Sequence, residues 1–337
     1  MEYVNIPGTR ERTSRLVFGC EQLGGQDWGR IDMTEMLRAV DAAVDHGINM
    51  FDTADVYGLG ESERRLGSAL RRHRAKTLIM TKGGVRWSTC ENRARARTRL
   101  DISASYLRAA VHDSLRRIQR DCIDTYLLHW PGDDHQIRDA VGELSRLQDE
   151  GKLRYIGLSN CSDRQIGVAT QVNAIAAAAS EHCLVGPRVP ANVLRRGREG
   201  RLGVLAYAAL GRGLLAGTYS RDSEFPKDDR RHRLATARPK WFGEALRVAG
   251  LVTPIAARMG RTTAQVVLRW ALDTPGVSCV ICGMRSSSQL MEDLGATGWN
   301  LERTEWEELE GLAGGTWRTA PARRVFRTGQ PGAVENA

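Results

Sequence analysis

Short, continuously apolar runs alternate with amphipathic stretches along most of the chain. Residues 16–19, 48–51, 77–80, 123–128, 155–158, 175–179, 204–207 and 277–281 read as strands. Their largely apolar character, without strict in–out alternation, is that of strands covered on both faces. The intervening segments carry helical periodicity. Asp32 caps a helix whose apolar positions are Met36, Leu37, Val40 and Val44, and Gly47 closes it. A charged helix is predicted over 61–72, and one over 106–118 has a stripe of Leu107, Val111, Leu115 and Ile118. Further helices are expected over 135–150, after Ser162, near 189–196, and over 241–257, 263–272 and 288–294. An extra helix follows at 303–313, then a Pro/Gly/Arg-rich segment from 317 to 337.

Eight strand–helix units predict an α/β fold, a (β/α)8 TIM barrel over residues 1–316, with residues 317–337 as a C-terminal tail over the barrel mouth. A doubly wound sheet is the competitor, but no GxGxxG follows the first strand.

Composition narrows the class. The chain has 337 residues, 42% hydrophobic and 26% charged, as in ordinary globular proteins. It has no basic-then-apolar start and no apolar run near the ~20 residues of a membrane helix, so a cytoplasmic protein without a membrane partner is expected. Seven scattered cysteines do not form a disulfide framework. Cys279 and Cys282 form a CxxC inside a predicted strand, where residues three apart face opposite sides, so they read as core. The net charge of +9 is nearly all arginine, spread among acids, with short runs at 93–99, 195–201 and 229–233. Without interleaved aromatics these runs read as solvated surface rather than a nucleic-acid site. An anionic small molecule suits the charge better. The sequence sets no oligomeric state.

In a barrel of this kind, chemistry collects at the C-terminal ends of the strands. Asp52 and Tyr57 follow the second strand, Lys82 the third, His129 the fourth, and Ser159–Asn160 the fifth. Tyr207 ends the seventh, and Gly283, Arg285, Gln289, Glu292 and Asp293 follow the eighth. A lone Lys or His past a strand is ordinarily a surface residue. Four ionisable residues from three successive units, brought to one rim, imply a shared site. Their joint chemistry is proton delivery to a carbonyl. Tyrosine, with a pKa near ~10, keeps its proton at neutral pH, and a neighbouring lysine would stabilise the phenolate and lower that pKa. Asp52 would pair with Lys82, and His129 would orient the substrate oxygen. A hydride donor must come from outside the side chains.

FDTADVYGLGESE, IMTKGG, LLHWPG, IGLSN, LAYAALGRGLLAG and ICGMRSSSQLMEDL, in this order, resemble the aldo-keto reductases over about residues 10–315. The likeness is greatest to the bacterial branch related to potassium-channel β subunits. The resemblance implies a (β/α)8 barrel binding NADPH, with Asp52, Tyr57, Lys82 and His129 as the catalytic tetrad and Tyr57 as proton donor. It implies that Ser159 and Asn160 hold the nicotinamide carboxamide and that Tyr207 stacks on the ring. Leu210 and Gly211 would follow the pyrophosphate, and Gly283, Arg285, Gln289 and Glu292 would clamp the adenosine half, with Arg285 suited to a 2′-phosphate. Cys20, Gly213 and Asp293 complete the implied cofactor set.

The chain departs from the family pattern at Ala179 (usually Gln), Ala208–Ala209 (Ser-Pro), Thr218 (Lys) and Asp293 (Asn). The resemblance implies a lost carboxamide contact at Ala179, a lost phosphate cation at Thr218 and a lost donor to adenine at Asp293. Trp28, Trp87, Trp130, Trp317 and Phe326 either pack the loops or face a substrate. The insertion after Lys82, with its tryptophan and arginines, suggests a bulky polar or anionic carbonyl compound, such as a keto-sugar or specialised metabolite. NADPH-dependent carbonyl reduction is the leading expectation. Reduction of a conjugated C=C or C=N bond, or a slow redox-sensing partner protein, are the alternatives.

Overall fold

A computed structural model describes residues 1–87 and 98–312. Eight parallel strands close into a barrel in chain order, each hydrogen-bonded to the next and the eighth to the first. They are β1 (Leu16–Gly19), β2 (Met50–Asp52), β3 (Leu78–Gly83), β4 (Ile123–Leu128), β5 (Leu153–Ser159), β6 (Ala177–Glu181), β7 (Gly203–Tyr207) and β8 (Cys279–Gly283). Side chains alternate between two apolar layers. Val17, Met50, Met80, Leu127, Ala177, Ala179, Leu205, Cys279 and Ile281 fill the interior. Phe18, Phe51, Ile79, Tyr126, Leu128, Ile156 and Val204 face outward into a continuous core beneath the helices. Burial on both faces explains why the strands read as unbroken apolar runs. A hairpin of Tyr3–Asn5 with Arg12–Ser14, which the hydrophobic pattern did not reveal, precedes the barrel, and the nearby Ile6 belongs to the interior cluster.

The helices are α1 (Met33–Asp45), α2 (Glu61–Ala69), α3 (Ala104–Ile118), α4 (Asp134–Asp149), α5 (Asp163–Thr170), α6 (Ala191–Arg198), α7 (Arg230–Ala237), α8 (Pro239–Arg258), α9 (Thr263–Asp273), α10 (Ser287–Leu294) and α11 (Arg303–Leu312). Asp32 caps α1 by accepting from the amides of Thr34 and Glu35. Asp133 with Gln136, Ser162 with Gln165, and Thr262 with Gln265 form reciprocal capping boxes at α4, α5 and α9.

Several boundaries differ from the sequence reading. Strands β2, β6 and β8 run on past their apolar stretches to Asp52, Glu181 and Gly283, because polar or small residues at the barrel mouth still join the ladder. Helix α2 stops at Ala69 and tightens into a 3-10 segment, Leu70–Lys76. The insertion after Lys82 opens with an antiparallel pair, Val85–Trp87 against Thr98–Leu100. The rest of that insertion, and the expected tail over the mouth with Trp317 and Phe326, lie outside the described residues. Cys279 and Cys282 do face opposite sides, one inside the barrel and one in the outer core. Among the described residues no helix is long and apolar enough to cross a membrane.

Candidate active site

The turn after β2 is built by close packing against the turn after β1. The amides of Thr53 and Asp55 extend the ladder to the carbonyls of Met80 and Lys82, and Tyr57 N–H closes a turn onto Ala54 O. Gly58 then lies at φ 57°, and a Cβ there would sit 2.3 Å from the carbonyl oxygen of Gly24. A Cβ on Gly24 would sit 2.7 Å from the Gly58 nitrogen. Only glycine on both sides lets the backbones meet, and this contact sets where Tyr57 points.

Lys82 Nζ lies 2.7 and 2.8 Å from the two oxygens of Asp52, 3.0 Å from the Thr53 carbonyl oxygen and 3.2 Å from the Tyr57 hydroxyl. Lys82 and Asp52 are each only 4% exposed. A strand-end carboxylate is thus met by the cation it requires. His129 approaches Tyr57 edge-on, ring centroids 5.9 Å apart, and its buried Nδ1 has no partner among the described residues. Burial, followed by the Lys82 charge, pushes the His129 pKa well below its usual value, so the imidazole is neutral. Burial pushes the Tyr57 pKa well above its usual value, and the charges of Asp52 and Glu21 add to this. The expectation that Lys82 would lower it is therefore corrected. The ammonium touches the phenol, but desolvation dominates, and the Asp52 carboxylate paired with that ammonium acts on the phenol in the opposite sense. The hydroxyl stays protonated.

On the far side, Asn160 (φ 59°) donates from Nδ2 to the His129 carbonyl at 3.0 Å and to Ser159 Oγ at 3.1 Å, and accepts a short hydrogen bond from the Tyr207 hydroxyl. Arg285 N–H donates to Gln289 Oε1 at 2.9 Å, fixing the turn into α10. Asp293 is 5% exposed and accepts from Cys282 Sγ at 3.3 Å. Cys282 is thus a hydrogen-bonding partner at the cleft wall as well as core.

A single cleft of about 840 Å³ joins these groups, within the usual ~300–1,000 Å³ of a small-molecule site. Asp52, Tyr57, Lys82, His129, Ser159, Asn160, Tyr207, Leu210, Gly213, Gly283, Arg285, Gln289, Glu292 and Asp293 all line it. Cys20 and Gly211 do not. The Cys20 thiol is buried behind Asp52, whose carbonyl accepts the Cys20 amide at 2.8 Å, and Gly211 packs against Leu215 and Cys183. Trp28 and Trp130 line the cleft, whereas Trp87 lies outside it under the Arg117 guanidinium.

Residues 229–233 correct the reading of a solvated basic surface. Asp229 and Arg231 are 1% and 5% exposed and form a forked ion pair, and the backbones of Trp28 and Asp229 meet in an isolated antiparallel bridge. Arg230 stacks over Trp28 at 4.7 Å, its amide donates to the Asp27 carbonyl at 2.8 Å, and its guanidinium pairs with Glu21. Glu21, Gln22, Glu181, Arg212 and Lys227 also line the cleft and were not singled out by sequence pattern. Arg212 and Glu181 pair at 3.3 Å. The residues fit an anionic dinucleotide. Arg212, Lys227, Arg230, Arg231 and Arg285 supply cations along one side, and the buried Gln22 Oε1 is an unused acceptor.

Residues 15–313 match the Aldo/keto reductase family, and the chain belongs to it. It is 30% identical over 317 residues to Aldo-keto reductase YhdN of Bacillus subtilis, covering 92% of each protein. It is also 30% identical over 272 residues to Aldo-keto reductase yakc [NADP(+)] of Schizosaccharomyces pombe, covering 79% of each. Glycerol dehydrogenase AKR11B4 from Gluconobacter oxydans superposes with a TM-score of 0.83 at 32% identity, over 92% of this chain and 94% of that one. The protein is an oxidoreductase of a family that uses NADP(H).

Asp293 yields a stability test. Burial, with Glu292 adding and Cys282 opposing, pushes its carboxyl pKa up to about 7. A pKa raised in the folded state stabilises below the ordinary Asp value, and that contribution is lost as pH rises through 7. Asp293→Asn is therefore expected to raise Tm relative to the parent at pH 8 by roughly 2 °C or more, with the difference shrinking towards pH 5. Thermal melts of both proteins across that range decide it; a pH-independent difference would refute the assignment.

Proposed function

We propose that the protein is an NADPH-dependent reductase of an aldehyde or ketone, acting in the cytoplasm, with Tyr57 as proton donor. The observation that carries this reading is the contact chain Asp52–Lys82–Tyr57, with neutral His129 at the edge of the phenol. Bound NADPH supplies the hydride. Tyr57 holds the proton that the substrate oxygen takes up, as a general acid. Lys82 stabilises the phenolate left behind, and Asp52 fixes the ammonium in place. His129 offers an imidazole nitrogen to the carbonyl oxygen and orients it, and a buried neutral ring does so without adding charge to the cleft.

Ser159 and Asn160 would hold the carboxamide, with the Tyr207 hydroxyl bracing Asn160. Leu210 and Gly213 would follow the pyrophosphate, and Gly283, Arg285, Gln289, Glu292 and Asp293 the adenosine half. Arg212, Lys227, Arg230 and Arg231 extend that set and supply the positive charge that Thr218 lacks. A forked Arg285 guanidinium favours the 2′-phosphorylated cofactor.

NADPH consumption with a panel of aldehydes and ketones tests the proposal. Turnover with NADPH above NADH is expected. The panel includes small hydroxy-carbonyl compounds, since one structural relative is named a glycerol dehydrogenase. Absence of NADPH oxidation with every carbonyl compound, while C=C or C=N acceptors are reduced, would move the activity to those bonds.

A further inference from the structure

The acid end of the cleft carries a carboxylate that the reaction itself does not need. Glu21 opens the short 3-10 turn, Glu21–Gly24, that follows β1. That turn is fixed beside the proton donor at both ends. The Cys20 amide donates to the Asp52 carbonyl at 2.8 Å, and Gly24 packs directly on the Tyr57–Gly58 backbone. Glu21 lines the cleft with its side chain 30% exposed. Arg230 binds Glu21 Oε1, whereas Oε2 accepts no hydrogen bond among the described residues. The phenol of Tyr57 senses the Glu21 charge, second only to Asp52 among the charged groups that act on it.

The surrounding charges make this placement selective. Of the cleft-lining cations, Arg212, Lys227, Arg231 and Arg285 come from the segments after β7 and β8, the side suited to phosphates, while Arg230 of the same segment reaches Glu21 and is committed to it. Lys82 is committed to Asp52. From the loops after β2, β3 and β4, the described residues contribute Val56, Leu59, Val85 and Trp130 as apolar walls, with Thr98 as an uncharged polar neighbour. A substrate at Tyr57 therefore meets apolar surface, one half-free carboxylate oxygen and no uncommitted cation among the described residues.

We infer that Glu21 is a specificity-determining residue. It accepts a hydrogen bond from a substrate hydroxyl and disfavours substrates that bring their own carboxylate. The preferred class is then uncharged, hydroxyl-bearing aldehydes and ketones. This inference rests on the carbonyl-reductase reading above. Like charges a few ångströms apart in a partly desolvated cleft repel, and a half-buried carboxylate oxygen rewards a donor it can pair with.

The test uses the full-length protein with NADPH and three aldehydes: glyceraldehyde, propanal and succinic semialdehyde. The parent enzyme is expected to rank them in that order by kcat/KM. In Glu21→Gln the succinic semialdehyde-to-propanal ratio should rise about tenfold, and the glyceraldehyde-to-propanal ratio should fall several-fold, chiefly through KM. Glu21→Asp, which keeps the charge, should retain the discrimination against succinic semialdehyde. Raising NaCl to about 0.5 M should weaken that discrimination in the parent, a measurement that needs no variant. Ratios unchanged in Glu21→Gln, or a parent preference for succinic semialdehyde, would overturn the role of Glu21 while leaving carbonyl reduction intact. A parent that reduces none of the three but reduces other carbonyl compounds of the panel would overturn the substrate class alone, and one that reduces no carbonyl compound at all would overturn both readings.

Discussion

Tyr57→Phe is expected to lower kcat for carbonyl reduction by about two to four orders of magnitude, with NADPH affinity retained. The change removes one oxygen, the atom 3.2 Å from Lys82 Nζ, and leaves the ring edge-on to His129. Cofactor affinity survives because the residues assigned to it lie on β5 to β8 and the loops that follow them, not on the turn after β2. Binding is read by NADPH fluorescence titration and turnover by cofactor oxidation under saturating substrate. Because burial holds the Tyr57 pKa well above its usual value, the parent's reduction rate should stay flat as pH rises from about 6 to 9. A variant within tenfold of the parent kcat would remove Tyr57 from the proton-donor role.

Lys82→Met is expected to damage stability as well as activity. Lys82 and Asp52 are both nearly inaccessible, and removing the cation takes away the one side-chain partner shown for the Asp52 carboxylate among the described residues. Breaking a buried pair in this way costs about 3–5 kcal/mol, because one charge is left uncompensated. Urea denaturation should show the midpoint shift. Adding Asp52→Asn to Lys82→Met should restore most of the lost stability without restoring turnover, since the carboxylate's need for a counter-ion disappears while the proton donor remains unsupported. If Lys82→Met unfolds at the same urea concentration as the parent, the pair is not the buried couple seen here.

The barrel was legible because its strands are covered on both faces. Val17, Met50, Leu127 and Ile281 point inward while Phe18, Phe51 and Leu128 point outward, so apolar residues run unbroken in sequence. The strand ends at Asp52 and Glu181 were harder to place, since a polar residue that joins the ladder looks like the start of a loop. Asp52, Tyr57, Lys82 and His129 were recoverable because barrel topology puts consecutive strand ends side by side. Glu21, Arg230 and Arg231 were not. A charged residue reads identically whether it faces water or a cleft, and the Glu21–Arg230 contact joins positions 209 residues apart. The forked Arg231–Asp229 pair became buried only because the segment after β7 folds back onto the turn after β1. Asp293 was visible as a departure from family pattern, but its burial against Cys282 was not.

The backbone contact between Gly24 and Gly58 ties the turn that carries Glu21, the proposed specificity residue, to the turn that carries Tyr57, the proposed proton donor, as one mechanical part. A loop graft intended to reshape the pocket wall would lever the phenol away from its ammonium neighbour, because neither glycine leaves slack to absorb the strain. Engineers who wish to retarget this enzyme should therefore alter side chains on the turn after β1 and leave its main chain alone.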